Sequence, residues 1–153
     1  MTQRITPYLL YTDAAAALDW LAEAFGFTET LRHADDEGRV NHAEMALGGG
    51  SIMLGEPGPD YRNPKALGAV TQLVHVYVDD VDAHCAGARA AGALIEREPA
   101  DQEYGDRNYG AVDPEGHRWF FAQKLREVHR RSGALPAPGM ARAECGTNLL
   151  MLP

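Results

Sequence analysis

The most constraining feature of this chain is an internal repeat, because one series of short motifs occurs twice in the same order. The stretches PYLLYTDAAAALDWLAEAFGF and VHVYVDDVDAHCAGARAAGA each indicate a strand, then an aspartate, a helix and a glycine. Asp13 and Asp80 can accept hydrogen bonds from the first free N–H groups of the helices, while Gly26 and Gly92 suit the left-handed conformation past a helix end. The aspartates are 67 residues apart and the glycines 66. We therefore expect two halves that fold alike.

The periodicity of each half predicts its secondary structure. In both helical stretches, apolar residues recur at the spacing of one helix face. These residues are Leu18, Leu21 and Phe25 in the first half and Val81, Cys85 and Ala88 in the second. Three strand-like segments follow each helix: TETLRHA, VNHAEMAL and SIMLGEP in the first half, and ALIERE, NYGAVD and HRWFFAQ in the second. Each half therefore predicts the order β-α-β-β-β.

Composition divides the chain into four parts. The first module spans residues 1–57, a linker rich in proline and glycine spans 58–70, the second module spans 71–124, and a C-terminal arm spans 125–153. One sheet face of a βαβββ module is covered by its helix and the other is bare. We therefore predict an α+β fold whose two modules pair their sheets around a curved cleft, within one chain or across a dimer. The apolar LLMLP at the end of the arm suggests docking against a partner subunit.

Bulk properties argue against several classes of protein. The 153-residue chain is 45% hydrophobic and has a formal net charge of -8, whereas nucleic-acid partners require a basic surface. No segment approaches the roughly 20 apolar residues that cross a bilayer, and the N-terminus lacks the apolar stretch of a signal peptide. Cys85 and Cys145 form no CxxC pair and indicate no disulfide framework. We expect a cytoplasmic protein with neither a nucleic-acid nor a membrane partner.

Two segments carry a resemblance to a known family. YVDDVDAHCAGARAAGA and YGDRNYGAVDPEGHRWFFAQ resemble stretches of the glyoxalase, bleomycin-resistance and extradiol dioxygenase superfamily, also called the vicinal oxygen chelate proteins. The resemblance covers residues 4 to 124, and the second segment is especially similar to the glyoxalase-like or bleomycin-resistance-like subgroup. It implies the vicinal oxygen chelate fold and, for a bleomycin-resistance relative, a homodimer.

Alternation of side chains along the strands predicts which residues line the cleft. The predicted cleft-facing residues are Thr6, Tyr8, Leu10, His42, Glu44, Leu73, His75, Tyr77, Arg118 and Phe120. Ile5, Leu9 and Tyr11 are expected on the helix side of the first strand. The remaining histidines are expected to be solvated, and they are His33, His84, His117 and His129.

The family resemblance also implies where a metal would bind. Metal-dependent relatives take ligands from four cleft-facing strand positions, which correspond to Thr6, Leu54, Leu73 and Phe120. Leucine and phenylalanine have no lone pair to donate, and a threonine hydroxyl is a weak ligand. The resemblance therefore implies that this chain has no metal site and needs no cofactor.

A shift of register by two residues remains an alternative, because it leaves every side chain on the same sheet face. The shifted positions are Tyr8, Glu56, His75 and Ala122. His75 with Glu56 would form half of a metal site, and the H-x-E pair of His42 and Glu44 could add donors.

The leading functional prediction is a metal-free small-molecule binding protein of the glyoxalase/bleomycin-resistance type. Its rings would stack on a partly aromatic ligand, such as an antibiotic to be sequestered, and its polar groups would orient that ligand. The predicted ligand-binding residues are Tyr8, His42, Glu44, His75, Tyr77, Arg107, Arg118 and Phe120. Arg107 belongs to the YGDR loop, where Asp106 and Arg107 either hold a polar ligand or pair with each other.

Two enzymatic alternatives stay open at this point. One is a glyoxalase-like lyase or isomerase with a divalent metal in the shifted site around His75 and Glu56. The other is a metal-free enzyme that uses Glu44 or His75 as a general base.

Overall fold

A computed structural model describes residues 4–56 and 58–127 of the chain. Its elements, in chain order, are β1 (Tyr8–Leu10), α1 (Ala14–Phe25), β2 (Thr28–Ala34), β3 (Val40–Leu47), β4 (Gly50–Gly55), α2 (Pro64–Leu67), β5 (Leu73–Tyr77), α3 (Val81–Ala90), β6 (Leu94–Asp101), β7 (Asp106–Val112) and β8 (Arg118–Lys124). Most of the C-terminal arm, including LLMLP, lies outside the described residues, so its docking stays a prediction.

The strands form two four-stranded sheets of the same topology. The first sheet has the order β1-β4-β3-β2 and the second has the order β5-β8-β7-β6. Strand β1 runs parallel to β4, and β5 runs parallel to β8. The other neighbouring strands are antiparallel. The predicted α+β fold of two βαβββ modules is therefore confirmed, and the linker adds only the short helix α2.

Both long helices begin where the sequence predicts. The side chains of Asp13 and Asp80 accept hydrogen bonds from the backbone N–H groups of Ala16 at 2.9 Å and Ala83 at 3.0 Å. Gly26 follows α1 with a φ of 74°, the left-handed conformation expected of it. The predicted inward positions are all buried: Leu18, Leu21, Phe25, Val81, Cys85 and Ala88. None of the described helices has the length and apolar character needed to span a membrane.

The helix-covered sides of the two sheets share one core. Helix α1 packs against α3, and the Phe25 ring lies 4.7 Å from that of Phe121 and 5.4 Å from that of Trp119, between centroids. His84 bridges the halves, since its Nε2 lies 3.0 Å from the Phe25 carbonyl oxygen and its Nδ1 lies 2.7 Å from the Tyr109 hydroxyl. Burial lowers the pKa of His84. The expectation that His84 is solvated was wrong, because its ring joins the two modules.

The DPEG turn, expected only to connect two strands, also joins the halves. Its buried Asp113 Oδ2 accepts hydrogen bonds from the Tyr11 hydroxyl at 2.6 Å and from the Trp119 Nε1–H at 3.1 Å. His117 is buried too, contrary to expectation, with its Nδ1 3.2 Å from Asp113 Oδ2. Burial favours a raised pKa for Asp113, but the hydrogen bond and charge of His117, with the hydrogen bonds from Tyr11 and Trp119, hold that pKa below its usual value.

Glu115 of the same turn holds the segment that leads into α1. Its carboxylate accepts hydrogen bonds from the backbone N–H groups of Thr12 at 2.6 Å and Asp13 at 3.0 Å, and from the side-chain amide of Asn63 in the linker. Glu56 accepts a further hydrogen bond, at 3.3 Å, from the first backbone N–H of α1. Both modules and the linker therefore meet at the N-terminus of α1.

We call the sides of the sheets opposite the helices the open faces. Within residues 4–56 and 58–127, no strand of one sheet pairs with a strand of the other. Large side chains are exposed on the open faces, including Tyr8 at 42%, Leu73 at 49%, Tyr77 at 61% and Leu94 at 64%. One chain therefore joins its modules through helices, linker and turn, and leaves both open faces accessible.

The first strand is shorter than its sequence pattern indicated. Leu9 and Tyr11 are buried on the helix side as predicted, but Ile5 is 85% exposed. The strand begins only at Tyr8, so side-chain alternation does not extend back to Ile5 and Thr6.

Candidate functional site

Backbone register aligns the side chains of each open face into rows that cross the sheet. The central row of the first sheet consists of Tyr8, Met53, Glu44 and Leu31. The central row of the second sheet consists of His75, Phe120, Gly110 and Arg97. Four residues predicted to bind a ligand therefore lie in the central rows, and they are Tyr8, Glu44, His75 and Phe120.

A chain of polar contacts runs along the first open face. The Tyr8 hydroxyl lies 3.1 Å from His42 Nδ1, and His42 Nε2 lies 3.5 Å from Glu44 Oε1. The ring of His33, expected to be solvated near its turn, stacks 6.2 Å from that of His42 between centroids. Burial raises the pKa of Tyr8, so its hydroxyl stays protonated near neutral pH and can donate. The structure thus brings three predicted residues, Tyr8, His42 and Glu44, into one cluster.

Gly55 allows Tyr8 to reach this position. A Cβ atom at Gly55 would collide with the Asn41 carbonyl oxygen and would lie 2.9 Å from the Tyr8 hydroxyl oxygen. Strand β4 can therefore lie close to both neighbours only because this position carries no side chain.

The second open face combines aromatic rings with a buried carboxylate. The rings of His75 and Tyr77 lie 5.1 Å apart between centroids. The Tyr77 hydroxyl donates a hydrogen bond to Asp106 Oδ2 at 2.9 Å, and this bond, together with burial, raises the pKa of Tyr77. Asn108 donates a side-chain hydrogen bond to the Tyr104 hydroxyl at 2.7 Å. The hydrogen bond to Asp106 fixes Tyr77 at the edge of the face while leaving its ring exposed.

Arg118 and Phe120 share the open face of β8, as their alternation predicted. The Arg118 guanidinium donates a hydrogen bond to Glu96 at 3.1 Å. The guanidinium carbon of Arg97 lies 5.3 Å from the centroid of the Phe120 ring, so this ring carries a cation above it.

Arg107 lies away from the open face, contrary to its predicted role in ligand binding. Its guanidinium donates to Asp82 of α3 at 2.8 and 2.9 Å and to Asp101 at 2.7 Å, and these bonds raise its pKa. Strand alternation explains the correction, because Asp106 faces the open side and therefore turns Arg107 toward α3. Arg107 fastens α3 to the second sheet and does not pair with Asp106.

The four positions implied by metal-dependent relatives do not fit a divalent ion. Thr6 precedes β1, and Leu54 is 0% exposed in the core on the helix side, so its assignment to the cleft was wrong. The open-face residue beside Leu54 is Met53, a weak thioether donor. Leu73 and Phe120 of the second sheet have no lone pair to donate.

The shifted register does not assemble a metal site either. Glu56 binds the N-terminus of α1, His75 contacts the Tyr77 ring, and Ala122 is 0% exposed. Within the described part of the chain, no group of three or more His, Cys, Asp and Glu side chains is arranged to hold a metal ion.

Two depressions lie beside the central rows. One, of about 530 Å³, lies between the β3–β4 hairpin and β5 and is lined in part by His75 and Tyr77. The other, of about 410 Å³, is lined in part by Tyr8, Gly55 and Glu56. Both volumes fall in the range of small-molecule sites. Within one chain, the two depressions thus contain three of the predicted ligand-binding residues: His75 and Tyr77 line one of them, and Tyr8 lines the other.

Sequence reasoning missed two residues of these faces, Met53 and Arg97. Met53 could have been found from alternation, because its neighbours Ile52 and Leu54 are the more apolar pair and form the buried row. Asp106 was considered either as a partner of Arg107 or as a group that holds a polar ligand, and the structure places it on the open face beside Tyr77. Arg97 carried no signal, because its orientation depends on irregular pairing in β6.

The sequence and fold together identify the class of this protein. The profile of the Glyoxalase/Bleomycin resistance protein/Dioxygenase superfamily matches residues 4–121, and the chain belongs to this superfamily. An uncharacterized protein of Mycobacterium bovis is 37% identical over 131 residues, which cover 82% of this chain and 86% of that protein.

Solved structures share the fold. TioX from Micromonospora sp. ML1 is 38% identical with a TM-score of 0.68, and the match covers 81% of this chain and 100% of TioX. TnmS3, an antibiotic binding protein from Streptomyces sp. CB03234, is 23% identical with a TM-score of 0.60, and the match covers 81% of this chain and 98% of TnmS3. At that identity, TnmS3 shows a likeness of fold alone.

Proposed function

We propose that this protein binds a small, partly aromatic molecule without the metal that its metal-dependent relatives use. The observation that carries the proposal is the chemistry of the open-face positions. The positions that correspond to the relatives' metal ligands are Thr6, Leu54, Leu73 and Phe120, and none of them offers a strong metal donor. On the open faces, Met53, Leu73 and Phe120 offer apolar surface instead. Such surface, with a few polar groups around it, is typical of sites that capture an organic ligand.

In the proposed site, aromatic rings supply contact area and polar groups orient the ligand. Tyr8, Tyr77 and Phe120 supply aromatic surface, and a well-placed ring contact contributes about 0.5 to 1.5 kcal/mol beyond area burial. The groups proposed to orient the ligand are His42, Glu44, His75 and Arg118. The antibiotic binding protein TnmS3 has the same fold, which supports an antibiotic as one class of ligand.

We also propose that the protein is a homodimer in which each copy covers an open face of the other. The exposed side chains of Tyr8, Leu73, Tyr77 and Leu94 support this arrangement, because exposed apolar patches mark interfaces or ligand grooves. Covering an open face would also enclose the depression that lies beside it. The cytoplasm remains the compartment predicted from the sequence.

Titration calorimetry tests the binding function. The full-length protein, treated with chelator and then dialysed, is titrated with bleomycin-type and other aromatic antibiotics. We expect binding heat with at least one of them, and an affinity about tenfold weaker for Phe120→Ala. The control is Leu125→Ala, a change at an exposed residue beyond β8. Absence of heat with the whole panel, or binding that requires an added divalent metal, contradicts the proposal.

A metal-free acid–base enzyme is the second candidate, favoured by the contact of His42 with Glu44 and Tyr8. A ligand found by calorimetry would then be converted, and Glu44→Gln would abolish its turnover while weakening its binding far less. An unchanged ligand after long incubation with the parent protein removes this candidate.

A further inference from the structure

Irregular pairing in β6 turns Arg97 onto the second open face. Ile95 pairs with Ala111 and packs against the core. In a regular strand the residue two positions further on would face the same side. Register shifts before and after Arg97 pair it instead with Gly110, in the central row. Such bulges re-aim a side chain and are frequent beside functional sites.

Arg97 reaches across Gly110 toward Phe120 in the central row of the second sheet. Gly110 lies between Arg97 and Phe120 in the same row, and a Cβ atom there would lie 3.5 Å from both Arg97 Cβ and Phe120 Cζ. The Arg97 guanidinium carbon is 5.3 Å from the Phe120 ring centroid, within the range of a cation–π contact. The row therefore places the Arg97 cation over the Phe120 ring, with His75 on the strand next to Phe120.

Arg97 differs from the other arginines of α3 and β6–β8 in its lack of a carboxylate partner. Arg89, Arg107 and Arg118 each form an ion pair at 3.1 Å or less. Among the described residues, no carboxylate oxygen lies within 4.0 Å of the Arg97 guanidinium. In a chain with a net charge of -8, this side chain presents an uncompensated positive charge on the proposed binding face.

We infer that Arg97 binds an anionic oxygen group, such as a carboxylate, carried by the aromatic ligand. The inference rests on the proposed binding function and names the chemical class of its ligand. Arginine presents a planar fork of N–H donors that matches a carboxylate and can remain over a ring while it binds. The rings of His75 and Tyr77, beside Phe120, form the wall for the ligand's aromatic part.

A matched pair of probes isolates the charge. The full-length protein is titrated with 2-naphthoate and with 2-naphthamide, which share a ring system but differ in charge. We expect naphthoate to bind about tenfold more tightly, the effect of one hydrogen bond to a charged group. Arg97→Gln should remove this preference, and Arg97→Lys should retain part of it. Arg39→Gln, which removes the same charge from the exposed β2–β3 turn, is the control and should keep the preference.

The outcomes separate this inference from the binding function. Loss of the preference in Arg97→Gln but not in Arg39→Gln, with unchanged melting temperatures, supports the role of Arg97. Equal affinity for both probes, or a preference that survives Arg97→Gln, overturns the role of Arg97 while aromatic binding stands. Absence of binding by both probes overturns the inference too, and the antibiotic titrations then decide the binding function separately.

Discussion

At the scale of single residues, Asp113 makes one of the polar contacts between the modules and is the most deeply buried carboxylate among them. Its carboxylate accepts from Tyr11 of the first half and from Trp119 of the second, and its Oδ1 accepts from the backbone N–H groups of Glu115 and His117. Burial raises the pKa of Asp113, but the neighbouring His117 side chain and the hydrogen bonds from Tyr11 and Trp119 stabilise the anion and lower the pKa overall. Removing any one donor leaves part of a buried charge without a partner.

Replacing Tyr11 with phenylalanine tests this contact. Tyr11→Phe should lower the free energy of unfolding by about 1 to 3 kcal/mol, because Asp113 loses a buried hydrogen bond without a change in packing. Urea unfolding followed by circular dichroism measures the effect. Tyr61→Phe, at a side chain 64% exposed, is the control and should stay within about 0.5 kcal/mol of the parent. Equal stability of Tyr11→Phe and the parent would show that the hydroxyl contributes nothing.

The lowered pKa of Asp113 predicts an acid-sensitive part of the stability. A carboxyl group whose folded pKa lies below its unfolded value stabilises the fold above the unfolded pKa, here about 3.9, and loses this contribution as pH falls through the folded pKa. Asp113→Asn cannot titrate, so its unfolding free energy should fall less than that of the parent between about pH 6 and pH 3. Parallel pH profiles for the two proteins would contradict the assignment.

At the scale of elements, sequence periodicity predicted most of the strands and helices but not the irregular pairing. Alternation was right in β5, where Val74 and Val76 pack on the core and Tyr77 is exposed. Alternation does not predict the faces of β6, because no residue type in this strand indicates the register shifts that turn Arg97 onto the open face. The cleft position of Leu54 came from the family resemblance and not from alternation, and it was wrong because Leu54 is buried in the core on the helix side.

The N-terminus of α1 offers a test at this scale. Glu115 accepts from two backbone N–H groups just before the helix, where a negative charge is also favoured by the helix dipole. Glu115→Gln should therefore lower the free energy of unfolding by about 1 kcal/mol. Glu103→Gln, at an exposed turn residue, is the matched control and should have little effect. If both variants unfold alike, the carboxylate of Glu115 does not stabilise the junction.

At the scale of the whole molecule, the repeat predicts two like modules but not how they are joined. The decisive contacts are far apart in sequence; Tyr11 and Asp113, for example, are 102 residues apart. Periodicity is a local property and carries no information on such pairs. The prediction of one ligand-binding site has the same weakness, because it depends on contacts that periodicity does not describe. Residues on the two open faces form a single site only if a second copy of the chain covers them.

The proposed dimer can be tested, and with it the dependence of the ligand site on a second copy of the chain. Light scattering of the full-length protein should give about twice the chain mass of 16.6 kDa. Leu73→Glu places a charge on the second open face and should shift the protein toward monomer, because a buried charge without a partner is costly. Leu67→Glu, in helix α2, is the control, since Leu67 is 51% exposed and Leu73 is 49% exposed. If Leu73→Glu weakens both dimer and ligand binding while Leu67→Glu affects neither, the two copies build the site together. A parent protein that is monomeric and still binds its ligand would instead place the whole site on one chain.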